Sequence, residues 1–388
     1  MKVAGLFAGI GGLEVGLAAS GHKASMLCEI WHPARTVLAA KFPDVPCEAD
    51  VRALKSLPGE VDLLVGGFPC QDLSQAGKTA GIGGERSGLV DQIFRLLDDR
   101  RIPWVVLENV SFMLSLDQGR AMHTLVDEFE SRGYRWAYRV VNTHAFLPQR
   151  RNRVLFVATC TDADPADVVL VDEAVAPKAT RSLDGCAHGF YWTEGIRGLG
   201  WAEDAIPTLK NGSTIGIPSP PAILLPDGQV VTPDIRDAER LQGFEENWTL
   251  PAVEGFRPSV RWSLVGNAVS TPVARWLGEK LSEPGQYDIA RDRTLRGSGS
   301  WPSAARFDGR VRRAVEISAF PVWSARPALA NFLRYPGKPL SIRATKGFLE
   351  RTERSSLRFV EGFQDRVRAH LAAVSAVPSD IYPPMAAE

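Results

Sequence analysis

The alternation of apolar, strand-like runs with helical patterns over the first 160 residues is the strongest constraint on the fold of this chain. The runs that predict strands are Lys2–Phe7, Ala24–Glu29, Val61–Val65, Trp104–Leu107 and Val154–Ala158. The helical patterns between them are Leu13–Ser20, Pro33–Lys41, Gly88–Asp99 and Ala121–Ser131. Strands that alternate with helices predict a doubly wound, mostly parallel α/β sheet. Ligands bind such sheets at the carboxyl ends of the strands, so residues there are the first candidates for a site.

The chain of 388 residues is long enough for two or three domains, and its hydrophobic content of 45% is typical of a soluble globular protein. Its five cysteines are widely spaced, and no pair has C-x-x-C spacing, so neither a disulfide framework nor a zinc site is predicted. No apolar run approaches about 18 residues, and the glycine-rich start is unlike a signal peptide. These features predict a cytoplasmic protein without a membrane partner.

The formal net charge is zero, but the charge is unevenly distributed along the chain. Residues 281–388 contain 17 Lys or Arg against 11 Asp or Glu, and the rest of the chain has the opposite balance. Such asymmetry is typical of a basic face for a polyanion, but an ordinary solvated domain can also produce it. The sequence leaves both alternatives open.

A glycine-rich turn, Phe7–Gly12, follows the first predicted strand and precedes a helix. Closely spaced glycines at such a junction allow backbone N–H groups to approach a ligand, although an ordinary tight turn has the same composition. Glu29 ends the next predicted strand about 20 residues later, where an acidic side chain can bind a ribose hydroxyl or simply lie on the surface.

Three further strand ends have reactive or charged side chains. Cys70 lies in a loop after the third strand, which favours a nucleophilic thiolate over the buried apolar role of most free cysteines. Glu108 follows the fourth strand, where a carboxyl group can act as an acid or begin a helix. Arg150, Arg151 and Arg153 precede the fifth strand, where they can bind a phosphate or base carbonyl, or form a solubilising strand edge.

These features occur together in the order found in the DNA cytosine-5 methyltransferases, and the sequence resembles that family over residues 1–281. The family has a cofactor loop, an acidic ribose ligand, a Pro-Cys loop, a Glu-Asn-Val acid, a Gln-Arg-x-x-Arg segment, an Arg-Leu-Gln-Gly-Phe segment and a Gly-Asn-x-Val segment. In this chain the corresponding motifs are Phe7–Gly12, Glu29, Pro69–Gln71, Glu108–Val110, Gln149–Arg153, Arg240–Phe244 and Gly266–Val269. One departure is Gly5, where an acidic or small polar residue is common.

The resemblance implies roles for individual residues. Cys70 would be the nucleophile, Glu108 the acid that protonates ring nitrogen 3, and Arg151 with Arg153 the pair that steadies a flipped base. The implied S-adenosylmethionine site comprises Phe7, Ala8, Gly9, Ile10, Gly11, Gly12, Glu29, Ile30, Asp50, Val51, Phe68, Pro69, Leu89, Asn267 and Val269. The implied DNA contacts are Ser74, Lys78, Arg86, Gln149, Thr208 and Leu209. No metal is implied.

The resemblance also implies a reaction and its partners. A thiolate would add to carbon 6 of a cytosine flipped out of duplex DNA, carbon 5 would take the methyl group, and proton loss would expel the cysteine. The implied enzyme is a monomer that modifies a specific DNA sequence, with a restriction endonuclease encoded nearby but not stably bound. Two alternatives stay open: a tRNA-methylating enzyme with the same motifs, and a non-catalytic DNA-binding relative.

We expect three parts in the chain. Residues 1–160, completed by a helix within 264–283, would form the catalytic and cofactor-binding domain. Residues 161–263 would form a smaller, loop-rich target-recognition domain across a DNA cleft. A Gly-Ser linker at 297–300 would lie in a basic extension, 284–388, with a helix near Leu357–Val374. That extension would pack on either domain or extend the DNA contact.

Overall fold

The computed structural model describes residues 1–68, 88–175, 182–210, 220–297 and 299–376 of the chain. The strands in these ranges are β1 (Lys2–Leu6), β2 (Lys23–Cys28), β3 (Cys47–Glu48), β4 (Leu63–Gly66), β5 (Trp104–Val110), β6 (Arg135–Asn142), β7 (Gln149–Arg150), β8 (Asn152–Thr159), β9 (His188–Phe190), β10 (Ala202–Glu203), β11 (Ile206–Pro207), β12 (Ala222–Leu224), β13 (Val230–Thr232), β14 (Asp292–Thr294), β15 (Ala304–Phe307), β16 (Arg312–Val315) and β17 (Lys338–Pro339). The helices are α1 (Gly12–Ala18), α2 (His32–Lys41), α3 (Leu89–Asp99), α4 (Arg120–Ser131), α5 (Ala166–Val169), α6 (Ile235–Leu241), α7 (Val260–Asn267), α8 (Thr271–Ser282), α9 (Leu329–Phe332), α10 (Ile342–Glu353) and α11 (Phe363–Ala376). Within the described ranges, no helix has the length and apolar character needed to cross a membrane.

Ten of these strands form one sheet, the main sheet, in the order β14-β16-β15-β6-β8-β5-β4-β1-β2-β3. The neighbours from β3 to β5 pair in parallel, whereas those from β5 to β14 pair antiparallel. Helices cover both faces: α3 and α4 bury Phe94 and Phe129 against one face, and α1 and α8 bury Leu17 and Leu277 against the other. The predicted α/β class, a sheet with helices on both faces, is confirmed.

The five predicted strands are all present in the main sheet, with bounds that differ by up to three residues. Strand β5 continues to Val110, so Glu108 lies within the strand rather than after it. Strand β6 was not predicted, because it is buried on both faces and therefore shows no alternation of apolar and polar residues. Its buried residues include Arg139, a charged side chain that also interrupts the apolar run.

A second sheet, the small sheet, has five strands in the order β10-β9-β12-β13-β17. Four of its strands come from the region predicted to recognise the target, and they are only two or three residues long. Strands this short give no detectable period in the sequence. Its core joins Phe190 and Leu224 of this region to Phe348 and Phe363, which lie far along the chain.

The tail, residues 284–376, is divided between the two sheets. Strands β14, β15 and β16 extend the main sheet through the pairing of β15 with β6, while β17 pairs with β13 and α10 and α11 pack on the small sheet. The Gly-Ser linker at 297–300 stays a prediction: Gly297, Gly299 and Ser300 are exposed, and Trp301, directly after them, is buried in the core of the main sheet. The predicted tail helix corresponds to α11. The domain boundaries at 160, 263 and 284 stay predictions.

Candidate active site

The glycine turn, residues Phe7–Gly12, connects β1 to α1 at the carboxyl ends of the parallel strands. Phe7, Gly9 and Gly11 have left-handed backbone conformations, with φ of 54°, 57° and 84°. Glycine adopts this region without strain, which explains its use at positions 9 and 11. The amide of Ala8 donates to the carbonyl of Cys28 at 3.1 Å. The turn is therefore joined to β2, and the amino terminus of α1 begins directly beyond it.

Glu29 binds this turn from the end of β2. Its carboxylate accepts a hydrogen bond from the amide of Gly9 at 2.8 Å and another from the amide of Trp31 at 2.7 Å. A carboxylate has about four acceptor sites, so capacity remains for hydroxyl donors. The predicted role of Glu29 as a ribose ligand therefore fits its position beside the glycine turn.

The segment Asn267–Val269, which joins α7 to α8, lies against the other side of the glycine turn. A Cβ atom at Gly12 would lie 2.4 Å from the carbonyl oxygen of Val269. Helix α8 packs along α1, and a Cβ atom at Gly16 would lie 2.4 Å from the carbonyl oxygen of Thr271. Both approaches require glycine, and they bring two distant parts of the predicted cofactor site together.

The remaining described cofactor residues differ in exposure. The buried or half-buried ones are Val51, Phe68 and Leu89. Ile30, next to Glu29, has 59% of its surface exposed and so provides an apolar surface for a flat ring. Asp50 is bound by Arg52 through side-chain hydrogen bonds of 2.7–3.0 Å, and these bonds lower the pKa of Asp50. Asp50 remains partly exposed despite this pairing.

A carboxyl group that the sequence analysis did not select lies beneath the glycine turn. Glu14, in the first turn of α1, is buried, and a Cβ atom at Gly5 would lie 2.0 Å from its Oε1. The carboxyl group of Glu14 therefore occupies the space that a side chain at position 5 would need. This contact gives the physical reason for the departure at Gly5. Burial raises the pKa of Glu14 to about 7.

Glu108 and Arg153 form an ion pair where β5 and β8 lie side by side, with 2.9 Å between Oε1 and Nε. Their side chains are 10% and 15% exposed, so water screens the pair only partly. Next to the acid, the buried amide of Asn109 donates to the carbonyl of Phe68 at 2.9 Å. Phe68 is the last described residue before the predicted nucleophile loop. Asn109 therefore binds the residue that precedes that loop to the strand that carries Glu108.

Arg151 lies inside the protein, unlike its neighbour Arg153. Its guanidinium group donates to the carbonyl oxygens of Leu209, Gly266 and Ala268 at 3.0, 3.3 and 2.8 Å. Burial lowers its pKa to about 9, so the group is still protonated at neutral pH. The guanidinium group of Arg151 thus binds backbone carbonyls, whereas that of Arg153 pairs with Glu108, and the base-steadying role of the two arginines stays a prediction.

Gln149, predicted to contact DNA, is also fully buried. Its amide donates to the carbonyl of Leu241 at 2.7 Å, and its carbonyl accepts from the amide of Leu209 at 3.1 Å. Leu209 is buried as well, whereas Thr208 is half-buried and donates to the carbonyl of Arg150 at 2.8 Å. Gln149 and Leu209 are therefore buried and hydrogen-bonded to protein in this structure, and their DNA contacts stay predictions.

Five predicted site residues lie outside the described residues: Pro69, Cys70, Ser74, Lys78 and Arg86. Their roles stay predictions. Across the described ranges, no group of three or more His, Cys, Asp or Glu side chains is arranged to hold a metal ion.

Comparison with known proteins identifies the family. The model of the C-5 cytosine-specific DNA methylases matches residues 1–183. The type II methyltransferase M2.BsuMI of Bacillus subtilis (strain 168) is 45% identical over 371 residues, which cover 91% of this chain and 94% of that relative. The chain belongs to the C-5 cytosine-specific DNA methylases. It is therefore a DNA (cytosine-5-)-methyltransferase, as the resemblance implied.

Other relatives of this DNA methylase are more distant. The type II methyltransferase M1.ScrFI of Lactococcus lactis subsp. cremoris is 30% identical over 317 residues, covering 73% of this chain and 78% of the relative. The solved structure of the methyltransferase EhMeth of Entamoeba histolytica has a TM-score of 0.51 at 15% identity, covering 72% of this chain and 97% of that one. This last similarity supports the fold alone.

Two polar residues of the methylase site, Asn109 and Gln242, were missing from the predicted set although both lie in its motifs. Gln242 is fully buried and donates to the carbonyls of Val265 and Ala268 at 2.9 and 3.3 Å. A motif indicates that a position matters, but it does not indicate whether the side chain faces a ligand or another segment of the protein. Their place within the motifs was the sequence signal that could have identified these two residues.

Proposed function

We propose that this DNA methylase transfers the methyl group of S-adenosylmethionine to carbon 5 of a flipped-out cytosine in a specific duplex sequence, through a covalent adduct with Cys70. We further propose that it is the modification enzyme of a type II restriction-modification system, since its relatives M2.BsuMI and M1.ScrFI are type II methyltransferases. The observation that carries the chemical part is the Glu108–Arg153 ion pair, next to the Asn109–Phe68 bond at the start of the Pro-Cys loop.

The glycine turn fits an adenosyl cofactor. A Cβ atom at Gly9 would meet no atom of the described residues within 4 Å, so this point of the turn has room for a ligand. Glu29 would hold the ribose and Ile30 would cover the adenine ring, while Asn267 and Val269 would bind from the opposite side. When bound, S-adenosylmethionine supplies a methyl group on a sulfonium ion that a carbon nucleophile can take. The same residues would hold the product, S-adenosylhomocysteine.

The side chains of the protein would act on the cytosine. The thiolate of Cys70 adds to carbon 6, while Glu108 supplies the proton at ring nitrogen 3, and the ring becomes nucleophilic at carbon 5. Arg153 orients the Glu108 carboxyl through the 2.9 Å ion pair. Carbon 5 would then take the methyl group that the cofactor supplies. Loss of the carbon 5 proton to a base and return of the ring nitrogen 3 proton to Glu108 re-form the 5,6 double bond and release Cys70 as thiolate. Because carbon 6 is inaccessible in stacked DNA, the base must leave the duplex.

Covalent trapping tests this proposal. Bisulfite sequencing of DNA from a host that expresses the protein first identifies the target, and a duplex with 5-fluorocytosine at that position then traps the adduct, because fluorine cannot leave as a proton does. We expect a denaturation-resistant complex with the wild type and S-adenosylmethionine, and none with Cys70→Ala. Cys160→Ala, which removes another thiol, should retain the complex. An adduct that survives Cys70→Ala would falsify the assignment of the nucleophile.

We also propose that the enzyme works as a cytoplasmic monomer and forms no stable complex with a nearby endonuclease. Its type II relatives support a role beside a restriction enzyme, and a single chain contains all the motifs of the reaction. Light scattering of the purified full chain should give the mass of one chain, 42.3 kDa. A stable dimer at micromolar concentration would contradict the monomer.

A further inference from the structure

Three fully buried polar side chains, Gln149, Arg151 and Gln242, form a network that we call the buried network. Gln149 donates to the side-chain oxygen of Gln242 at 3.1 Å and accepts from the amide of Leu209 at 3.1 Å. Gln242 in turn donates to the carbonyl of Val265 at 2.9 Å. Gln149 and Arg151 lie in the Gln149–Arg153 segment, Gln242 lies in the Arg240–Phe244 segment, and the backbone groups that they share belong to Leu209 and Ala268. Because these segments are far apart in the sequence, the network exists only in the folded protein.

Arg151 connects two segments that are far apart in the sequence. One nitrogen of its guanidinium group donates to the carbonyl of Leu209 at 3.0 Å, and the other donates to the carbonyl of Ala268 at 2.8 Å. Both nitrogens also lie 3.3 Å from the carbonyl of Gly266. The planar guanidinium fork holds these carbonyls in a fixed arrangement, which the single ammonium of a lysine cannot reproduce.

Each of these two segments adjoins one of the two proposed substrate sites. Thr208 and Leu209 follow β11, and both were predicted to contact DNA. Ala268 lies between Asn267 and Val269, and the carbonyl of Val269 lies against Gly12 of the glycine turn. A shift of either segment would leave a buried cation without its acceptors, which is costly. The two segments are therefore mechanically joined by one side chain.

We propose that Arg151 is a positioning residue that couples the Thr208–Leu209 segment to the Asn267–Val269 segment, so that a ligand at one orders the other. The inference rests on the proposed function, since it takes S-adenosylmethionine and DNA as the two ligands. It assigns to Arg151 a role in communication between the sites instead of contact with the base. Of the two arginines, Arg153 is the one that forms the ion pair with Glu108.

The structure offers a matched control. Arg139 is also fully buried, and its guanidinium group also donates to three backbone carbonyls, those of Ser318, Val171 and Asp172, at 2.8–2.9 Å. These acceptors belong to the packing of the tail and to the segment after α5, away from the glycine turn. Arg139→Lys and Arg151→Lys therefore remove equivalent fork geometries, but only the second removes a link between the proposed sites.

Hydrogen exchange of the full chain with S-adenosylhomocysteine alone provides the test. In the wild type the ligand should slow exchange in residues 6–12 and also at 205–210, where the amide of Leu209 reports on the buried network. In Arg151→Lys the protection at 205–210 should disappear while that at 6–12 persists, and the ligand Kd should rise about tenfold. Arg139→Lys should retain both protections and bind within about twofold of the wild type, whatever its stability.

The outcomes separate this proposal from the proposed function. Absence of protection at 6–12 in the wild type would overturn the cofactor site itself. Protection at 6–12 without protection at 205–210, or protection at 205–210 that survives Arg151→Lys, would overturn the coupling alone. If Arg151→Lys does not fold, Gln242→Met removes the amide that donates to the carbonyls of Val265 and Ala268 and accepts from Gln149. This variant should weaken the distant protection in the same way, with a Kd rise of about threefold. Unchanged protection in that variant would also contradict the coupling.

Discussion

The active-site edge of the main sheet and the tail differ in how their contacts are distributed along the chain. At the edge, the glycine turn and Glu29 follow β1 and β2, and Glu108 lies two residues before the end of β5, so the order of the strands brings them together. The tail instead contacts residues from much earlier in the chain, as where Trp301 packs near Trp136 and Phe348 packs on Phe190. The order of neighbouring strands therefore places the residues proposed for catalysis, whereas long-range contacts of the tail complete the two sheets.

The largest expected effect is loss of folding when residues 289–388 are removed. This truncation deletes the three tail strands of the main sheet, β17 of the small sheet, and the buried side chains of Trp301, Phe348 and Phe363. We expect aggregated or unfolded protein, measured by circular dichroism and size-exclusion chromatography. A monodisperse truncated protein with native near-ultraviolet signals would show that the tail is dispensable for folding.

Substitutions at the active-site edge should change the methylation rate rather than the stability of the protein. Glu108→Gln keeps the shape of the side chain but removes the proton donor and the ion pair with Arg153. We expect the methylation rate on duplex DNA with the target to fall about 10²- to 10⁴-fold, while the Kd for S-adenosylhomocysteine stays unchanged. Transfer of labelled methyl groups gives the rate. A rate within about threefold of the wild type would exclude Glu108 as the acid.

The two halves of the tail should contribute independently to stability. Trp301→Ala and Phe348→Ala each remove a large buried ring, from the core of the main sheet and of the small sheet respectively, and each should cost about 3–5 kcal/mol of unfolding free energy. Because the sites share no contact, the double variant should show the sum within about 0.5 kcal/mol. Urea titrations measure all three values, and Trp323→Ala, with 37% exposure, is the control. Strong non-additivity would mean that the halves act as one unit.

The smallest expected effect depends on pH and concerns Glu14, beneath the glycine turn. Its pKa is about 7 in the folded protein and near 4.5 when unfolded, so the folded state binds the proton more tightly. This contribution to stability is complete below about pH 4.5 and is lost as the pH rises towards 7. The wild type should therefore lose about 3 kcal/mol relative to Glu14→Gln between these limits. A stability difference that stays constant from pH 5 to 8, in parallel denaturant titrations, would contradict this.

The fold class and most of the site edge were predictable because their signals are local. Alternating strands and helices predicted the main sheet, and the ends of its strands predicted Phe7–Gly12, Glu29 and Glu108 as neighbours. The family was also recognisable from the motifs, and comparison with relatives confirms it. These features follow from short segments whose backbone and side-chain pattern fix their own conformation.

Only the tertiary structure decided which polar residues bind other segments of the protein and which lie at the active-site edge. Arg151 and Arg153 are two positions apart and look alike in the sequence, yet one binds three buried carbonyls and the other pairs with Glu108. The space left by Gly5 is likewise filled by Glu14. The division of the tail between two sheets belongs here too, since strand pairing and burial depend on partners far along the chain. Composition and spacing encode the chemistry of a side chain, but its environment is set by segments that meet only on folding.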